Sequence, residues 1–129
     1  MASTEEFHFD GWLKAAFAET GAFTALVVLV DIGRKDATPV ASTFFHVIGD
    51  EADWAEMSRL FAGAPNRWNG AAFFAETARD GGPLDEPLAR IELRRVEQMI
   101  DDDRMALNEA AFFNRKGQRL RIDEDGDSA

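Results

Sequence analysis

The chain has 129 residues, no cysteine, no tyrosine and a formal net charge of −10 at pH 7. Its length fits one domain, and the missing cysteines exclude disulfides, thiolate metal sites and cysteine nucleophiles. The acidity has the wrong sign for a phosphate backbone or an anionic lipid surface, so neither nucleic acid nor membrane is an expected partner.

The first residues lack the basic segment and apolar stretch of a secretory signal, which gives a cytoplasmic expectation. Phe9, Leu13, Ala16 and Phe17 recur at helical spacing, with Asp10 as a candidate N-cap and Gly21 as a stop. This predicts a helix over 10–19. Two β-rich apolar runs follow at 22–32 and 40–48, joined by a polar connection with Gly33 and Pro39. Branched and aromatic side chains suit a pleated surface, so 22–48 reads as a hairpin. Its first run is apolar on both faces and is expected to be covered on both.

Asp50 can cap a helix over 51–62, whose Trp54, Met57, Leu60 and Phe61 share a face, and Gly63 ends it. Asn69 can cap a further helix over 70–79. The alternative is a strand through 71–75, because Phe73 and Phe74 favour one. In the last third, Ile91, Leu93, Arg95, Glu97 and Met99 alternate with Arg90, Glu92, Arg94, Val96 and Gln98. That period predicts a strand over 88–99, followed by strands over 105–114 and 118–122 around Gly117. The competing reading is a long helix over 86–101, started by Asp85, Glu86 and Pro87.

Together these elements predict an α+β domain over 1–122, followed by an acidic disordered tail over 123–129. Its antiparallel sheet combines the 22–48 hairpin with an 88–122 meander, and about three helices pack on one face.

No glycine-rich phosphate loop, GxSxG, HExxH or CxxC motif occurs, and no cofactor is expected. Neither Asp101–Asp103 nor the acidic tail has the ligand spacing of a calcium loop, and His8 stands apart from His46, so no metal is expected. His46 is a candidate general base, since imidazole titrates near neutrality. Asp31, ending an apolar strand, is a candidate catalytic carboxylate, with a turn-forming role as its plainer reading. Arg67, Trp68 and Asn69 form a candidate ligand-binding loop, because arginine binds anions and tryptophan offers a stacking wall. Under the three-strand reading, Arg90, Arg94, Arg119 and Arg121 share an outward face that suits an anionic partner or a neighbouring subunit.

With no catalytic signature, the expected function is a non-catalytic protein-interaction or binding module. It is expected to be a homodimer, with another protein as a further partner. The alternative is a small enzyme or small-molecule-binding protein with a pocket near His46, Asp31 and Arg67. A third reading is an acidic decoy that mimics nucleic acid and binds a basic protein.

Overall fold

The computed structural model describes residues 8–122. The expected acidic tail lies outside the described residues. The 22–48 hairpin is present as β1 (Phe23–Ile32) and β2 (Ala37–Val47), closed by a Gly33 N–H donating to the Asp36 carbonyl at 2.8 Å. The pairing is antiparallel, from Phe23 opposite Val47 to Ile32 opposite Ala37, and it shifts register between Leu29 and Val30. β2 begins three residues before the expected position and contains Pro39. Proline is tolerated there because β2 is an edge strand.

Residues 70–76 form strand β3 (Gly70–Glu76), which corrects the predicted helix over 70–79. Phe73 and Phe74 are adjacent and both buried, in opposite cores. The alternation of a strand sends neighbours to opposite faces, whereas a helix puts them on one side. β3 runs antiparallel to β1, from Thr24 opposite Glu76 to Val30 opposite Gly70. A Cβ at Gly70 would stand 2.5 Å from the Phe112 ring, so only glycine allows that close approach.

The meander over 88–122 is also corrected. Residues 86–102 form helix α3 (Glu86–Asp102), capped by the Asp85 carboxylate on the Leu88 N–H at 2.9 Å. Its buried residues are Ala89, Val96 and Ile100, with Leu93 packed beside them, a helical stripe that the alternation of arginine and leucine conceals. The predicted 105–114 strand is a 3-10 turn (Arg104–Glu109) followed by the short strand β4 (Ala111–Phe113). Residues 118–122 form no strand of their own. They still line the outer side of β4, through a Phe113–Arg119 bridge and a 2.7 Å bond from the Leu120 N–H to the Phe112 carbonyl.

The sheet is antiparallel throughout, in the order β2-β1-β3-β4, and the class is α+β as expected. Helix α1 (Phe9–Thr20) and helix α2 (Trp54–Phe61) share one face. There they enclose Phe23, Ala25, Val27 and Leu29 with Phe73 and Phe113. The third helix, α3, lies with the 3-10 turn on the opposite face, over Leu26, Val28, Val30 and Phe112. β1 is therefore covered on both faces, as its unbroken apolar run from Ala25 to Val30 requires.

The helix ends differ from expectation in two caps. His8, not Asp10, caps α1, its Nδ1 accepting from the Asp10 N–H at 3.2 Å. Asp53, not Asp50, caps α2. The Asp10 carboxylate accepts instead from the Trp54 N–H at 2.8 Å, and so ties the start of α2 to α1.

Candidate functional site

His46 projects on the α3 face of β2, directly opposite Thr24 of β1. Thr24 is fully buried. Its Oγ1 accepts from the Leu84 N–H at 2.8 Å and lies 2.9 Å from His46 Nδ1. The hydroxyl is thus held between a backbone donor and the imidazole, which leaves no polar atom of this buried side chain without a partner. Thr24 thereby orients His46 and anchors the loop before α3. Being buried, its hydroxyl has no path to a substrate.

Asp31 sits at the other end of the hairpin, opposite Thr38. Seven residues of extended chain separate it from Thr24, about 23 Å at the usual strand rise. The hairpin therefore does not bring Asp31 and His46 together.

The Arg67–Asn69 loop serves the sheet. Trp68 is buried edge-on against Phe61, with ring centroids 5.6 Å apart. The Arg115 guanidinium covers its ring at 4.2 Å and donates to the Trp68 carbonyl at 2.8 Å. Asn69 continues the ladder beyond β3. Its backbone N–H donates to the Val30 carbonyl at 2.9 Å, and its side-chain oxygen accepts from the Ile32 N–H at 2.8 Å. Arg67 is exposed. The arginine that holds this loop is Arg115, from the turn after β4, which sequence spacing does not connect to Trp68.

Glu76 occupies the third position of a row, opposite Thr24 on the side away from His46. Partial burial pushes its carboxyl above the usual glutamate range. Glu92 adds to that shift and Arg95 opposes it. Among the described residues, no three histidine, aspartate or glutamate side chains are grouped to hold a metal ion. No helix there is long and apolar enough to cross a membrane.

The four arginines expected on one face are divided. Arg90 and Arg94 belong to α3, whereas Arg119 lies over the Phe113 ring at 5.6 Å, beside β4.

Three hollows of the surface lie along β2, and a further one of about 400 Å³ lies between the hairpin turn at 34–36 and residues 100–105. An apolar slot of about 150 Å³ lies between β1, β2 and α2, lined by Val27, Leu29, Ala41, Thr43, Leu60 and Phe61. On the other face, a polar groove of about 460 Å³ runs between the start of β2 and α3, beside Thr38, Pro39, Arg94, Glu97 and Asp101. A third hollow of about 290 Å³ sits at the end of the strand, against Phe45, Ile48 and Met57.

β2 itself differs from its surroundings. It is the eleven-residue outer strand of the sheet, and 37–48 contains no acidic or basic side chain other than His46. Each of the other strands and helices of seven residues or more carries at least one Asp, Glu, Lys or Arg. Ile48 and Leu60, 68% and 50% exposed, flank the strand. Edge strands are ordinarily protected by lysine, proline or bulges. Here Pro39 and the register shift fall near its beginning, and 41–47 pairs regularly with β1.

Compared with known protein families, curated proteins and solved structures, the chain matches none.

Proposed function

We propose that the protein is a non-catalytic interaction module that works as a homodimer, with the outer edge of β2 as its contact surface. The observation that carries this reading is the placement of the longest uncharged stretch of regular structure on an edge of the sheet. Two copies of a chain with a charge of −10 repel one another. A contact between copies is least opposed where the surface carries no charge. β2 also offers a row of backbone donors and acceptors, the usual template for adding a strand. The opposite edge, at β4, is lined by 119–122 and offers no comparable length.

Closed two-fold dimers are the commonest assembly of identical chains, and an antiparallel strand pair satisfies that symmetry with itself. Sedimentation velocity at micromolar concentration, at low and at high salt, tests the reading. The expected result is a species of twice the 14.3 kDa chain mass that persists or tightens as salt screens the net repulsion. A monomer under both conditions overturns it.

A further inference from the structure

We infer that the homodimer is built by antiparallel β2–β2 pairing across a two-fold axis, with the two α3 helices side by side and in charge register. The inference rests on the homodimer reading and specifies its geometry. Helix α3 presents two different sides. Glu92 and Arg95 face β3, where both act on the Glu76 carboxyl. Arg90, Arg94, Glu97 and Asp101 lie toward β2. The Arg90 guanidinium is 5.8 Å from the centre of the Phe44 ring, and the Ser42 hydroxyl donates to the Glu97 carboxylate. Arg94, Glu97 and Asp101 border the groove beside Thr38 and Pro39.

From Arg90 to Asp101 the signs along this side are positive, positive, negative, negative, and they invert about the midpoint between Arg95 and Val96; Glu86, one turn before Arg90, is ion-paired with it at 2.9 Å and has no counterpart in the inversion. An antiparallel copy of the same helix, centred at that midpoint, sets Arg94 against Glu97 and Arg90 against Asp101, twice each. A stripe with this inversion complements itself. One without it sets like charges together.

The position of the axis follows independently from β2. Arg90 reaches Phe44 and Glu97 reaches Ser42, so the α3 midpoint stands at the level of Ser42 and Thr43. Those two residues are the centre of the uncharged stretch 37–48. A two-fold axis at Thr43, perpendicular to the sheet, sets that residue opposite its own copy, as antiparallel pairing requires, preserves the faces and makes one eight-stranded sheet from two copies of a four-stranded one. α3 packs on β1 and β2 together. With strands about 4.8 Å apart, the paired helices come about 10 Å apart, an ordinary packing distance. On the other face, exposed Leu60 borders the slot beside Ala41 and Thr43, at the same level, so apolar side chains meet there across the axis. Strand pairing and apolar contact supply the affinity. The exposed charge pairs set orientation and reject misaligned encounters.

The test uses Arg90→Glu and Asp101→Arg in the full chain, both at exposed positions, with circular dichroism melts to confirm folding. Each variant alone sets like charges together twice, and its dimer dissociation constant should rise about tenfold, the scale of two exposed contacts. Asp101→Arg changes the net charge from −10 to −8, so a dimer governed by overall repulsion would tighten instead. Mixed in equal amounts, the variants should form a heterodimer with the affinity of the native chain, detected by native mass spectrometry. Unchanged dimerisation of both variants, or a tighter Asp101→Arg dimer, overturns the facing of the α3 helices and leaves the homodimer itself standing. A monomeric native chain removes both.

Discussion

The hydroxyl of Thr24, fully buried in the central strand, links two otherwise separate parts of the protein: it holds Nδ1 of His46 at 2.9 Å and the Leu84 N–H at 2.8 Å. The edge strand and the loop leading to α3 are thus joined through one polar atom.

Thr24→Val keeps the shape of that side chain and removes both bonds. The Leu84 N–H then loses its acceptor, at a cost of about 1–3 kcal/mol for an unpaired buried donor. Chemical denaturation should show a loss of that size, with faster hydrogen exchange at Leu84. An unchanged midpoint would contradict a stabilising role for the Thr24 hydroxyl.

Phe73 is the centre of the aromatic core, 4.8 Å from the Phe9 ring centroid and 5.8 Å from that of Phe113. Phe73→Ala should cost about 3–5 kcal/mol, the range for deleting a buried phenylalanine ring. A loss below about 1 kcal/mol would contradict the burial that follows from β3 being a strand.

Glu76 makes stability depend on pH. Its folded-state carboxyl is shifted upward by burial and by Glu92, with Arg95 opposing. The folded protein therefore holds the proton more tightly than the unfolded chain, and ionisation opposes folding. The cost is absent at pH below the ordinary glutamate range and grows as pH rises through it to the raised value. Glu76→Gln should accordingly raise the melting temperature near neutrality, with the gain disappearing in acid. A gain that is constant with pH would assign the effect to packing.

A charge placed at the middle of β2 should separate the copies. Thr43 lies opposite Val27, at the level of the axis. Thr43→Lys adds a lysine to each copy where the two meet, the device by which natural edge strands avoid pairing. Sedimentation should find a monomer with a melting temperature insensitive to protein concentration. A Thr43→Lys chain that still dimerises places the contact elsewhere.

The hairpin was legible because β1 is apolar from Phe23 to Val30 except at Thr24, and α2 because Trp54, Met57 and Phe61 repeat at helical spacing. β3 was less so. Its sequence GAAFFAE suits a helix or a strand, and pairing with β1 decides between them, a contact 44 residues distant by the register of Ala72 with Val28. α3 was concealed because Ile91, which completes the alternating pattern, is 62% exposed, while the small Ala89 is buried. Of the site residues, His46 was visible as a histidine in a strand. Its partner Thr24 is 22 residues away, and the Arg115 cover on Trp68 is 47 residues away. The open edge of β2 is a property of strand order, which local pattern does not contain.

Amide hydrogen exchange along β2, followed by NMR at low and high protein concentration, tests the central claim most directly. In a β2–β2 dimer, outward-facing amides within 41–47 should gain protection as concentration rises. Those bonded to β1 should stay protected throughout. Exchange along β2 that is independent of concentration, in a sample whose mass is that of a dimer, would contradict the β2 edge as the contact surface.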